Sequence, residues 1–257
     1  MTSERFFLPG PKGRLRAILQ LPDGFDRTRD KCTLVILMHG IMPNPVTIPL
    51  PRFARALVRG GYGALRFFFY GNWGSDGTNE EVTVPGEIED ARAVYELVRT
   101  WPFVGKIVLL GHSQGGVVAG MLAGRLQLEG CPPDALIQLS PGAVLKDYAL
   151  EGRLFGLRID PQNPPERKRV LWYTIGRDYV LTAQTLPIYE TSARYTGPVC
   201  LCHGTADRIV PFRYSERYAQ GYADAVLNPV PGANHFYSFH RRSVGRMLVN
   251  FLKQRGL

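Results

Sequence analysis

Lys106-Ile107-Val108-Leu109-Leu110-Gly111-His112-Ser113-Gln114-Gly115-Gly116 decides how the chain is read. An unbroken apolar run of this length, closed by glycine, is a strand buried on both faces. The residues after it, Gly116 to Leu128, are small and apolar on most sides, as in a helix packed closely on a sheet. Between them lies Gly-x-Ser-x-Gly. A serine hydroxyl is a poor nucleophile unless a base removes its proton and the chain holds it exposed at a sharp corner. Glycines at Gly111 and Gly115 allow that corner, where a Cβ would collide with neighbouring backbone.

Working outward, strand and helix patterns alternate. Two extended segments, near Arg5–Leu8 and Arg14–Leu21, flank a Gly10-Pro11-Lys12-Gly13 turn. Strands are predicted at Thr33–Met38, Ala64–Phe69, Ile107–Leu110, Ala135–Leu139, Pro198–Cys202 and Ala225–Val230. Helices are predicted at Pro51–Arg59, Glu87–Arg99, Gly116–Leu128, Phe212–Tyr222 and Ser238–Lys253. Apolar strands alternating with helices make an α/β protein whose parallel sheet is covered on both faces. The stretch from Ser140 to Pro198 breaks the rhythm. It holds Asp160-Pro161-Gln162-Asn163-Pro164-Pro165 and the aromatics Tyr148, Phe155, Trp172, Tyr173, Tyr179 and Tyr189. It reads as a small inserted cap on the side where open α/β sheets bind ligands.

Composition bounds the function. The 257 residues carry 45% hydrophobic and 21% charged side chains, enough for one large domain with an ample core. The formal charge is +9, but the basic clusters Arg167-Lys168-Arg169 and Arg241-Arg242 are too short for a nucleic-acid footprint. Four cysteines sit mostly in apolar runs, and Cys200-x-Cys202 has the wrong spacing for zinc. The N-terminal residues lack a signal-peptide core and no run approaches a membrane span, so a cytoplasmic protein with no membrane partner is expected. The oligomeric state stays open, a homodimer included.

A serine nucleophile needs a base, and the base needs an orienting acid. Asp207 follows the strand ending Leu201-Cys202-His203-Gly204, and His235 follows the next strand in Gly232-Ala233-Asn234-His235. Three residues of the right type at three successive strand ends make a strong joint signal. Asp178 and Asp224 compete with Asp207, the first in the cap and the second before a strand. His240 competes with His235 from within a helical pattern, while His39 and His112 read as structural. The negative oxygen of a tetrahedral intermediate needs preorganised N–H donors. The amide of Gln114, after the nucleophile, and that of Ile41, in the His39-Gly40-Ile41 loop, are the candidates.

The chain resembles the cinnamoyl (feruloyl) esterases of the α/β-hydrolase superfamily. The resemblance is carried by His39-Gly40, Arg66 to Gly71, Gly74-Ser75-Asp76-Gly77, Glu87 to Ala91 and Leu110 to Ala119. It continues through Ala149-Leu150-Glu151-Gly152, Leu186-Pro187-Ile188-Tyr189-Glu190 and His203 to Asp207, and so spans almost the whole chain. It implies the α/β-hydrolase fold, a mostly parallel central sheet with helices on both faces and a small inserted cap at about 143–195. Ser113, Asp207 and His235 would form a triad, with Ile41 and Gln114 supplying the oxyanion amides. The cap would form an aromatic acyl pocket in which Tyr179 and an acid near the start of the insertion reach a phenolic hydroxyl. Two departures stand out. Position 41 is Ile where these enzymes commonly carry an aromatic residue. In Lys146-Asp147-Tyr148-Ala149-Leu150 the acid is displaced by one, leaving Asp147, Tyr148 and Tyr179 as phenol-end candidates, with Trp172 also expected in the pocket.

The expected activity is hydrolysis of hydroxycinnamate esters (ferulate, p-coumarate, caffeate) through an acyl-enzyme, with no cofactor and no metal. A general short-chain carboxylesterase or monoacylglycerol lipase is the nearest alternative and would want an apolar alkyl tunnel. A serine aminopeptidase would need a carboxylate cluster, against the basic character of the cap. An inactive hydrolase-fold binding protein would have no use for all three triad residue types.

Overall fold

The structure is a computed structural model that describes residues 2–43 and 49–257. Among the described residues twelve strands and eight α-helices follow in chain order: β1 (Thr2–Pro9), β2 (Arg14–Leu21), β3 (Cys32–Met38), α1 (Leu50–Arg59), β4 (Gly63–Phe67), α2 (Val84–Arg99), β5 (Val104–His112), α3 (Gln114–Leu128) and β6 (Ala135–Leu139). Next come α4 (Val144–Leu150), β7 (Arg153–Leu154), β8 (Leu157–Arg158), β9 (Arg167–Val170), β10 (Tyr173–Gly176), α5 (Arg177–Thr185) and α6 (Ile188–Ser192). The chain closes with β11 (Val199–Gly204), α7 (Arg213–Gly221), β12 (Ala225–Val230) and α8 (Arg241–Gln254).

Eight strands form one sheet in the order β1-β2-β4-β3-β5-β6-β11-β12. β1 pairs antiparallel with β2 and β2 antiparallel with β4; every other pairing is parallel. The continuous apolar runs now have their reason. Along β3, Leu34, Ile36 and Met38 face the core shared with α2 and α3, while Val35 and Leu37 face the core shared with α1 and α8. β5 repeats the division, with Ile107 and Leu109 on one side and Val108 and Leu110 on the other. Side chains alternate between faces, and both faces are buried, so no polar alternation remains to be seen.

Several boundaries differ from the sequence reading, and three of them have a visible cause. α2 begins at Val84, before Glu87, because Thr83 caps it through Gly86 N–H at 3.1 Å and proline is tolerated in a first turn. β4 ends at Phe67, after which the Phe69 amide turns to the His39 ring. α8 begins at Arg241, not Ser238, because the Asn234 carboxamide accepts from the amides of Phe236 and Ser238 and holds a turn there.

Between β6 and β11 lie α4, two short antiparallel hairpins (β7-β8 and β9-β10), α5 and α6. α4 and α5 pack on each other, whereas α6 packs against α3 on the flank of the sheet. The parallel strands β3, β5, β11 and β12 all deliver their following loops to one edge of the sheet, and this insertion faces that edge.

Candidate active site

Ser113 stands at the corner between β5 and α3 with φ 57° and ψ −124°, a conformation costly for a residue with a side chain. The corner is tight. A Cβ on Gly111 would lie 2.0 Å from the Gly115 carbonyl oxygen, and one on Gly115 would lie 2.4 Å from the Met38 carbonyl oxygen. The spacing of the two glycines therefore answers to backbone meeting backbone. The corner is fixed from the neighbouring strand, since Ser113 N–H donates to Leu139 O at 2.9 Å and Ser113 O accepts from Gly142 N–H at 2.8 Å. Gln114 heads α3, where first-turn amides have no acceptor within the helix. Gly40 packs against the serine so closely that a Cβ there would come within 2.8 Å of the Ser113 Cβ. That contact brings the Ile41 amide region to the Ser113 side chain, and Ile41, Ser113 and Gln114 line one cavity.

His39 is buried and spans the base of this loop. Its Nε2 accepts from Phe69 N–H at 3.2 Å, so its Nδ1 donates to Gly40 O at 2.8 Å. Burial pushes its pKa down to about 4, consistent with a neutral structural ring. His112 is likewise structural: its Nε2 donates to the His235 carbonyl at 2.9 Å, bracing the loop after β12, and burial pushes its pKa down to about 3.

His235 and Asp207 meet across the ends of β11 and β12. His235 Nδ1 donates to Asp207 Oδ2 at 2.7 Å, with the imidazole only 5% exposed and the carboxylate fully buried. Asp207 Oδ1 accepts from the amides of Ile209 and Val210, both at 2.9 Å. Burial alone would raise the Asp207 pKa. The hydrogen bonds from His203 and His235, the charge of His235 and the Val210 amide outweigh it and hold the carboxyl well below the usual range. Ser113 and His235 line a common cavity. His240 sits at the N-cap of α8, Asp178 in the first turn of α5, and Asp224 pairs with Arg255. None of these three competitors touches the group.

Sequence reasoning did not single out His203 as a site residue. Its ring is fully buried, with Nε2 at 2.9 Å from Val210 O and 3.2 Å from Asp207 Oδ2. Both neighbours are acceptors, so Nε2 carries the proton, and Nδ1 faces the Ser215 hydroxyl at 2.7 Å. Asp207 is thus held between two imidazoles. The only sequence signal was a histidine four residues before the acid, which separates weakly from a core histidine.

Two cavities open on either side of Ser113. The first, about 320 Å³, runs from Ser113 and Gln114 beneath α4 and α5 to Val144, Tyr148, Leu154 and Tyr179. Tyr179 is buried, and its hydroxyl donates to Gln114 Oε1 at 2.7 Å. Gln114 Nε2 donates in turn to Glu87 Oε2 at 2.8 Å, so the residue after the serine is locked from both ends. Glu87 is buried among apolar groups, its Oε1 without a partner, and burial pushes its pKa up to about 8. Tyr148 lines this cavity, but Asp147 does not. On α4 adjacent residues point about 100° apart, and Asp147 faces α7, where it accepts from the Tyr214 hydroxyl. The expectation that Asp147 faces the pocket is therefore corrected.

The second cavity, about 300 Å³, lies on the His235 side, with Met42, Phe155, Leu171, Trp172 and Phe236 in its walls. Trp172 belongs here and not in the first cavity: it is 56% exposed at the tip of the β9-β10 hairpin. Among the described residues no group of three or more His, Cys, Asp and Glu could hold a metal ion, and no helix is long and apolar enough to cross a membrane.

A model of the alpha/beta hydrolase family matches residues 35–244. The human Protein ABHD12B is 26% identical over 200 residues, which cover 78% of this chain and 52% of that protein. The chain thus spans about half the length of that curated relative. Est1E from Butyrivibrio proteoclasticus, in a structure with ferulic acid bound, is 29% identical with a TM-score of 0.89 over 97% of this chain and 98% of that one. A second Est1E structure gives 27% identity and a TM-score of 0.86 over 98% of each chain.

Proposed function

The chain belongs to the alpha/beta hydrolase family, and from that premise we propose that it is a serine esterase cleaving hydroxycinnamate esters such as those of ferulate, p-coumarate and caffeate. The observation that carries the serine chemistry is the buried Asp207–His235 pair at 2.7 Å opening onto the same cavity as the positive-φ Ser113. In this reading Ser113 Oγ attacks the ester carbonyl carbon as His235 Nε2 takes its proton, and Asp207 holds the Nδ1–H and stabilises the imidazolium. The oxygen that gains charge meets the amides of Gln114 and Ile41. As the intermediate collapses, the C–O bond to the alcohol breaks and His235 returns the proton to the departing oxygen. Water then repeats the sequence on the acyl-enzyme, releasing the acid and regenerating the serine.

The hydroxycinnamate part rests on the first cavity, whose apolar walls suit a flat ring and include Tyr148 and Tyr179, and on the likeness to Est1E with its bound ferulic acid. Asp147, turned toward Tyr214, leaves Tyr148 and Tyr179 to meet a phenolic hydroxyl. The same displacement favours a second reading, a general carboxylesterase, because the cavity then offers no carboxylate to a phenol.

Two measurements separate these readings. Ser113→Ala should lower kcat by roughly 10³–10⁶, and a fluorophosphonate probe should add once, on Ser113; an adduct elsewhere with Ser113 untouched sinks the serine mechanism. A buried hydroxyl without a partner costs on the order of 1–3 kcal/mol. Methyl p-coumarate should therefore outrun methyl cinnamate, which lacks the hydroxyl, by about tenfold, and Tyr148→Phe or Tyr179→Phe should shrink that ratio. Equal rates on the two esters would leave the general carboxylesterase as the better description.

A further inference from the structure

We propose that the second cavity binds the leaving alcohol of the ester and that this alcohol is apolar, an alkyl or aryl group and not a sugar or other polyol. The inference rests on the serine-esterase reading and adds to it the half of the substrate that the acyl pocket does not touch.

The direction of proton transfer assigns the two cavities. The departing oxygen takes its proton from His235, so the alcohol must lie on the His235 side of the reacting carbon. His235 lines the second cavity and is not in the wall of the first, whereas Gln114, whose amide faces the carbonyl oxygen, lines the first and not the second. Ile41, Ser113, Phe155 and Ile209 line both and form the waist between them. An ester held at Ser113 therefore has its acyl chain under α4 and α5 and its alcohol against the β9-β10 hairpin and the loop after β12.

The walls then select the alcohol. Beyond Ser113 and His235, the polar side-chain groups of the second cavity are the imidazole of His112, already donating to the His235 carbonyl, and the single indole N–H of Trp172. The Pro43 carbonyl in the same wall is already taken by the indole N–H of Trp73. Met42, Phe155, Leu171, Trp172 and Phe236 otherwise present hydrocarbon, thioether and ring faces. Among the described residues no carboxylate or carboxamide side chain reaches this cavity, the groups that hydroxyl-rich ligands require. A polyol seated here would bury several hydroxyls without partners, each at a cost of about 1–3 kcal/mol. A butyl or benzyl group would instead remove apolar surface from water on both sides of the contact. Leu171 and Trp172 are 71% and 56% exposed, which is unfavourable for a hairpin tip with no apolar occupant nearby.

The experiment varies the alcohol on two fixed acyl groups, ferulate and butyrate, through methyl, butyl, benzyl and glyceryl esters. The inference expects kcat/KM to rise at least about tenfold from methyl to benzyl, with the glyceryl ester no better than methyl although glycerol is the better leaving group. Trp172→Ser should bring the benzyl-to-methyl ratio toward one. The acyl-enzyme should also partition to added benzyl alcohol in preference to glycerol at equal concentration. A flat series on both acyl groups, or a glyceryl ester that matches the benzyl ester, overturns the inference. If the ferulate esters are inert while the butyrate series keeps its gradient, the hydroxycinnamate reading falls and the alcohol-side inference stands.

Discussion

Asp207 accepts four hydrogen bonds or close polar contacts, from His235, His203 and the amides of Ile209 and Val210. Such a carboxylate has little freedom to turn, so it fixes the His235 tautomer with the proton on Nδ1. His203 is a positioning residue that acts through Asp207, and its removal has a signature beyond a loss of rate. Without the His203 donor the Asp207 carboxyl loses one of the hydrogen bonds that hold its pKa down, and it takes up a proton at a higher pH. In His203→Ala the acid limb of the kcat/KM profile should then move to higher pH by up to about one unit, with kcat reduced several-fold, an effect of roughly 1 kcal/mol. An unmoved limb beside a lowered kcat would mean that His203 only fills space.

Helix α3 shows how an element's composition answers to its neighbours. Its glycines are unfavourable for helix stability, since each costs about 1 kcal/mol relative to alanine. They are present because α6 lies almost on the helix backbone: a Cβ on Gly124 would stand 1.9 Å from the Thr191 carbonyl oxygen. Gly124→Ala should therefore lower the melting temperature despite its better helix propensity, because backbone must shift to admit the methyl group. A higher melting temperature would show α6 free to move away. Helix α4 makes the companion point. It turns Val144, Leu145, Tyr148 and Ala149 to the cavity and Asp147 to α7, where the hydroxyl of Tyr214 donates to the acid.

Across the whole molecule, buried carboxyls set opposing pH dependences. Glu87 and Asp90 are pushed up by burial to about 8 and about 6, from ordinary values of 4.5 and 3.8. The folded state holds these protons more tightly than the unfolded chain does, so stability falls as pH rises through the window from each ordinary value to each raised one. Asp207 works in the other direction. Its depressed pKa gives stability that is present above the ordinary carboxylate range and lost as pH falls through the folded value. Glu87→Gln removes the larger alkaline penalty while keeping an acceptor for Gln114. Thermal melts should show the variant gaining on wild type between pH 5 and 8.5, with each kcal/mol worth about 2–4 °C. Parallel curves for the two proteins would mean that Glu87 is not protonated in the folded state.

The sequence by itself determined the sheet, the order of its parallel strands' connections and the corner that carries Ser113. Those features are written in local periodicity and in glycine spacing, which act over a few residues. It also brought Ser113, Asp207 and His235 forward as candidates, because in a parallel sheet every strand delivers its following loop to the same edge, so chain position translates into place. Only the tertiary structure decided which way the insertion's side chains point. Asp147 went to α7, Trp172 to the His235 side, and His203 to a second contact on the acid. Glu87 likewise looked like an ordinary first-turn helix acid until Gln114 and Tyr179 enclosed it. The placements of Glu87 and Asp147 depend on partners 27 and 67 residues away, which leave no periodic trace in sequence.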